Sequence, residues 1–364
     1  MSAHEILIAI MAVFAVLGAL DRIFGNRVGL GAEFENGILA LGSLALSMVG
    51  IISLAPVLAN LLRPVVVPVY RFLGADPAMF AGTILANDMG GAPLARELAG
   101  SPQAAQLGGL LVGAMLGATV VFTIPVALGI LEPQDRASLA KGVLAGIVTI
   151  PLGVLAGGLT AGFPLGMILK NLIPIVLIAL LIALGLWRWE GAMIRGFQVF
   201  GKIIIAIITV GLAAALVEAL TGFVIIPGMA PVSDGLEIVG EIALVLAGAF
   251  PLVWTITKVF HKPLMKLGHL LGMNDRAAAG LIASLANSIA MFGMVKDMDG
   301  RGKVINIAFA VSAAFVFGDH LGFTAGYAPE MLVPVIVGKL VGGVTAIFVA
   351  MAMTGGWKHE QAGA

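Results

Sequence analysis

Residues 171–187 read NLIPIVLIALLIALGLW, a run without a formal charge. A water-soluble fold has little use for such a segment, whereas about 20 apolar residues wound as a helix cross the roughly 30 Å hydrocarbon layer of a bilayer. Inside lipid the backbone must satisfy its own hydrogen bonds, and a helix does so. Comparable runs recur over 4–20, 37–62, 107–131, 142–163, 203–227, 238–257, 304–327 and 332–356, so nine transmembrane helices are expected in all. The composition agrees: 60% hydrophobic, 11% charged, mean hydropathy +1.09. Soluble domains carry about 25% charged residues. A soluble enzyme, a nucleic-acid binder and a disordered chain are thereby excluded, and the partner to expect is the lipid bilayer. Twenty cations offset 20 anions, so bulk charge attracts no polyanion. The chain has no Cys, hence no disulfide and no thiolate metal site. Met1-Ser-Ala-His-Glu lacks a basic leader region, and the first run is expected to be a retained span.

Two further segments, 77–95 and 277–295, are apolar at their ends and polar at the middle, and each carries Leu-Ala-Asn near its centre. They are expected either as extra spans or as re-entrant helical hairpins. A turn at membrane depth is tolerated only where protein or a water-filled cavity surrounds it.

The halves of the sequence repeat. Advancing by 198 positions pairs Gly37 with Gly235, Gly50 with Gly248, Gly74 with Gly272, Gly82 with Gly280 and Lys141 with Lys339. The triplets Leu85 to Asn87 and Leu285 to Asn287 pair at 200. The expected organisation is a first half over 1–170, a linking span and cytoplasmic loop over 171–202, and a second half over 203–364. Charge selects the topology. With two re-entrant hairpins and the N-terminus outside, fifteen Lys and Arg fall in cytoplasmic segments and four (Arg63, Arg71, Arg96 and Lys170) fall outside. With both hairpins crossing fully, the bias disappears. The positive-inside rule therefore favours the re-entrant arrangement, with the C-terminus cytoplasmic. Five crossings then separate equivalent points, so the halves are expected to be inverted. The expected fold is an all-α polytopic membrane protein, an inverted repeat of two halves with about nine transmembrane helices plus two re-entrant helical hairpins, as in many secondary transporters.

In such repeats the substrate sits near the midplane, where broken helices meet. The candidate substrate-binding residues are Asn87, Asp88, Asn287, Ser288, Asp319 and Thr123. Asn and Ser offer hydrogen-bond donors and acceptors; Asp88 brings a carboxylate that is costly at membrane depth and therefore calls for a reason. Asn87 and Asn287 are read equally as helix caps. Asp319 and His320 are proton-coupling candidates, since histidine titrates near neutral pH. Adjacent positions on a helix diverge by about 100°, so these two form a pair only if the helix breaks at Gly318. An ion pair between Asp319 and Lys339 is the structural alternative. Pro125 is expected to kink the span 107–131, with Thr123 beside the freed carbonyl. Gly-x-x-x-Gly spacings at 142/146, 153/157 and 338/342 point to close helix packing. No phosphate-binding loop, zinc-protease motif or nucleophile elbow occurs; no cofactor and no metal are expected.

Several long motifs resemble a known family. Phe80-AGTILANDMGG, Phe122-TIPVALGILEPQDR, Leu144-AGIVTIP, Leu285-ANSIAMFGMVKDMDGRGKVIN, Phe309-AVSAAFVFGDHLGF and Val337-GKLVGGVTAI are similar to the ethanolamine permeases of bacterial ethanolamine-utilisation systems. The likeness runs from Asp21-Arg22 to about Ala350. It departs at Asn87-Asp88, where relatives carry Cys-Asp, and in a shorter loop between 227 and 238. The resemblance implies uptake of ethanolamine across the bacterial inner membrane by a carrier or facilitator, with a channel-like facilitator for ethanolamine or another small amine as the alternative. It further implies that Asp88 or Asp319 meets the ammonium and that Asn287 or Ser288 meets the hydroxyl. Whether H+ or Na+ accompanies the substrate is left open. A second resemblance, to concentrative nucleoside transporters, rests on Arg301-Gly-Lys-Val-Ile305 after a hairpin, and implies elevator motion and a homo-oligomer.

Overall fold

The computed structural model describes residues 2–355, apart from the side chains at 260, 261, 264 and 267. Lys358, His359 and Glu360 lie outside the described residues, as does the C-terminal end. Among the described residues the chain is helical, without a strand. Helix α1 (Ala3–Ile23) leads into α2 (Leu30–Phe72). Short helices α3 (Ala78–Ile84) and α4 (Gly91–Leu98) flank a 3-10 turn at Asn87–Met89. Helix α5 (Pro102–Gln106) continues through π-helical stretches Leu107–Gly117 and Thr119–Thr123 into α6 (Ile124–Ile130). Helices α7 (Arg136–Ile147), α8 (Ile150–Thr160), α9 (Leu165–Arg188) and α10 (Glu190–Thr221) follow. The chain then runs through α11 (Val232–Leu270), α12 (Asp275–Ala286), α13 (Ser288–Met294), α14 (Gly300–Ala313), α15 (Asp319–Tyr327) and α16 (Leu332–Met353).

Eight helical stretches among the described residues are long and apolar enough to cross a bilayer, which makes this a multi-pass membrane protein. The ninth expected span, 304–327, is not a continuous helix. It stops at Ala313 and resumes at Asp319. The amides of Phe315 and Phe317 turn away from their own helix to donate to the carbonyls of Ser284 (3.1 Å) and Leu285 (2.9 Å). Hydropathy sees an apolar run here and is blind to such backbone exchange. A second difference lies at 188–202, expected as a loop: α10 begins at Glu190, leaving only Trp189 between helices. Ile194, Phe197 and Gly201 face inward there, while Arg195 and Lys202, two turns apart, share another face.

The elements on either side of α9 and α10 follow a similar order. A long helix (α2, α11) precedes a broken pair (α3–α4, α12–α13), then an irregular rod (102–130, 300–327), then α7 and α8 in the first set and the single helix α16 in the second. Gly74 and Gly272 end α2 and α11 with φ of +71° and +73°, and the next amides, Ala75 and Met273, reach back to Tyr70 and Gly268. This helix stop needs a left-handed residue, which glycine supplies at no steric cost. The two sets of elements interlock: α2 lies along α11, α7 along α14 and α8 along α16. Gly153 and Gly157 meet Gly338 and Gly342 at the last crossing, in line with the expected close packing. Asp21 is a structural acid; its carboxylate accepts from the amides of Val28, Gly29 and Gly31 at 2.9–3.0 Å and shapes the α1–α2 turn.

Candidate functional site

Both broken pairs fail as helices at the same sequence. After α3, Leu85 and Ala86 are extended; after α12, Asn287 is extended. At each break, freed carbonyls need neighbours without bulk. Around Leu85 these are Gly113 and Gly117 of the π-helical rod, and against Ala286 it is Gly318. The α-helix is abandoned in both irregular rods: by widening to π over Leu107–Gly117 in one, by unwinding between Ala313 and Asp319 in the other. Wide turns and unwound segments of this kind concentrate at functional sites.

A cavity of about 210 Å³ opens where these irregular segments converge. Its wall takes Ser43 and Ser47 from α2, Asp88 and Met89 from the first break, Phe122 from the π-helical rod, and Phe315, Asp319 and His320 from the second rod. Gly318 is the residue before α15, so the helix does break there, and both Asp319 and His320 line the cavity. His320 is buried, with Nε2 3.8 Å from Asp88 Oδ1. Its ring stacks obliquely on Phe315 at 5.3 Å, and Phe315 meets Phe122 edge-on at 5.5 Å. Phe315 holds φ at +62°, a left-handed conformation that costs a bulky residue energy. Two larger spaces adjoin. One, of about 600 Å³, shares Asp319 and is walled by Glu33, Trp254, Lys258 and Asn287. The other, of about 730 Å³, shares Ser43, Ser47, Met89 and Phe122 and extends past Pro125 toward Lys202. The small cavity, which shares wall residues with both wider spaces, is termed the waist cavity.

The seven expected residues do not form one cluster. Asp88, Asp319 and His320 share the cavity. Asn87 lies behind Asp88, fully buried, with neither amide atom paired. Asn287 faces the neighbouring space and caps α13, accepting from the amide of Ile289 at 2.7 Å, so its capping reading holds. Ser288 is buried with its hydroxyl unpaired. Thr123 is buried in the second π-helical stretch and does not line the cavity. Pro125 sits in the first turn of α6, just after the irregular stretch.

Lys339 does not pair with Asp319. Its Nζ donates to the carbonyl of Ala114 (2.6 Å) and approaches His320 Nδ1 (3.0 Å). Sequence reasoning missed Ser43 and Ser47, although two serines four residues apart on an apolar helix share a face. Their hydroxyls donate within α2, Ser43 to Ala40 and Ser47 to Ser43 and Leu44, which leaves oxygen lone pairs for the cavity. Nothing in the sequence announces Phe315.

The profile of the family described as "Ethanolamine utilisation protein, EutH" matches residues 3–353. The chain is 64% identical over 353 residues to a Listeria monocytogenes protein named probable ethanolamine permease EutH, covering 97% of this chain and 95% of that one. It is 52% identical over 391 residues to an Escherichia coli K12 protein of the same name, covering 97% and 96%. It is 53% identical over 354 residues to a Bacillus subtilis protein called uncharacterized protein YxeR, covering 97% and 96%. No solved structure matches.

Proposed function

The chain belongs to the EutH family of ethanolamine utilisation proteins, and from that premise we propose that it takes up ethanolamine across the bacterial inner membrane by alternating access, binding it in the waist cavity. The family is one of transport proteins and the chain is not an enzyme. One observation carries the choice of site: two carboxylates, Asp88 and Asp319, share a small cavity with the hydroxyls of Ser43 and Ser47. Ethanolamine is a two-carbon chain with an ammonium at one end and a hydroxyl at the other. The ammonium is a donor that seeks carboxylates; the hydroxyl donates to a serine lone pair. Phe122 and Phe315 wall the carbon chain. Asn287 and Ser288, expected to meet the hydroxyl, stand outside the cavity wall, and their role passes to Ser43 and Ser47.

In this reading the halves over 1–170 and 203–364 are inverted relative to each other, and the segments 77–95 and 277–295 are re-entrant, with the N-terminus outside. The repeated order of elements and the cation bias support it. Access alternates as the irregular rods and broken pairs shift against α2 and α11, with an elevator stroke as one form of that motion.

Uptake of labelled ethanolamine into proteoliposomes tests the function. Saturation with substrate, and recovery of ethanolamine chemically unchanged inside, are expected. Flux that stays linear with concentration would replace the carrier with a channel-like facilitator, and absence of protein-dependent flux would overturn the reading.

A further inference from the structure

The binding scheme above uses two carboxylates and leaves the nearest cation without a role. Lys339 lies in the middle of α16, 1% exposed. Its Nζ is fixed by the carbonyl of Ala114 in the first π-helical stretch and by His320 Nδ1. With Lys339 as an ammonium, which has only donors, Nδ1 accepts. The single ring proton of a neutral imidazole then sits on Nε2, which faces Asp88 at 3.8 Å. The charged groups facing the ring are Lys339 from α16, Asp88 from the 87–89 turn and Asp319 from its own helix. With all three ionised they leave one net negative charge, since two carboxylates face a single cation. Residual charge is disfavoured between low-dielectric walls. One monovalent ammonium completes the balance.

We propose that Lys339 is the fixed counter-cation of the site: acting through His320, it balances one of the two cavity carboxylates, so that the site takes one monovalent ammonium and needs no co-transported cation. Lys339 is a positioning residue here, since His320 stands between it and the cavity. The proposal rests on the reading of the waist cavity as the ethanolamine site.

The test is uptake by the wild type, K339M and K339R in proteoliposomes with the membrane potential clamped at zero. A primary alkylamine such as ethanolamine resembles the lysine side chain, whose pKa is about 10, and stays protonated across this range. The wild-type KM is expected to change less than about twofold between roughly pH 6 and pH 8, and an imposed proton or sodium gradient should not drive accumulation. K339M leaves the carboxylates unbalanced, so one must take up a proton before the ammonium binds. Its KM is expected to rise about tenfold or more over the same interval, and an inward proton gradient should now drive uptake. K339R keeps the charge and the flat profile. A merely structural role would lower the amount of folded protein or kcat without creating a pH slope. A flat K339M profile, or a wild type driven by protons or sodium, overturns the proposal.

A second measurement needs no change at 339. Imidazole 15N spectra, with His320 assigned by loss of its signals in H320Q, should show a proton on Nε2 and none on Nδ1. The opposite tautomer, or an imidazolium, overturns the proposal without any uptake being read. Should the wild type carry no ethanolamine, it is the functional reading that falls, and the tautomer is still read from the spectra.

Discussion

The carbonyl oxygen of Leu85 occupies the place where a side chain on Gly117 would begin: a Cβ there would fall 1.9 Å from it. Gly318 stands in the same relation to the second break: its Cβ would fall 2.1 Å from the carbonyl of Ala286. In both cases the obstacle is backbone, which cannot swing aside. Gly117→Ala and Gly318→Ala should each cost about 2–3 kcal/mol, seen as a lower unfolding temperature in detergent. Gly42→Ala is the control. Nothing lies within 4 Å of its Cβ, and in a helix the change should be neutral or stabilise by up to about 1 kcal/mol.

Ser43 and Ser47 are assigned to the substrate hydroxyl, so they should govern discrimination rather than capacity. The double variant Ser43→Ala/Ser47→Ala should lose about tenfold of the preference for ethanolamine over ethylamine. Competition uptake with the two amines measures it. Unaltered preference would remove the serines from the site.

Asn87 presents the opposite case, a buried amide with neither atom paired. Such a group is expensive to bury, and nothing is lost by removing it. Asn87→Cys should leave uptake within about twofold of the wild type and should not lower the unfolding temperature. A large fall in uptake would mean that the amide reaches the substrate.

Away from the cavity, Lys303 Nζ contacts Asp135 Oδ1 at 2.5 Å, with the side chains 15% and 3% exposed. The pair ties α14 to the turn before α7. Asp135→Asn strands the lysine and should cost about 3–5 kcal/mol, while Asp135→Asn/Lys303→Met should recover much of it. Thermal unfolding of the three proteins checks this.

How much of this was legible beforehand follows the physics of each signal. Apolar runs locate spans well, because lipid imposes length and hydropathy together. They cannot reveal that 314–318 leaves its helix, since Phe315 and Phe317 are as apolar as any helix residue. What ends the helix there is backbone pairing with Ser284 and Leu285, residues distant in sequence. Glycine spacing announced the α8–α16 crossing, and the Leu-Ala-Asn triplets marked both breaks. The carboxylates Asp88 and Asp319 stood out because charge in a membrane demands a reason. Lys339 also stood out, but its partner was misread. Positions 319 and 339 lie on separate helices, and only packing decides that His320, not Asp319, turns toward it. Thr123 and Ser288 have suitable chemistry and face elsewhere, which composition cannot tell.

The central claim is that Asp88 and Asp319 together hold the substrate ammonium in one cavity. Equilibrium binding of ethanolamine to purified wild type, Asp88→Asn and Asp319→Asn, by calorimetry in detergent, tests it most directly. Both variants should insert and fold, and each should bind about 100-fold more weakly or worse, as expected when a charge-assisted contact is lost from a desolvated site. Wild-type affinity in both variants would contradict the account.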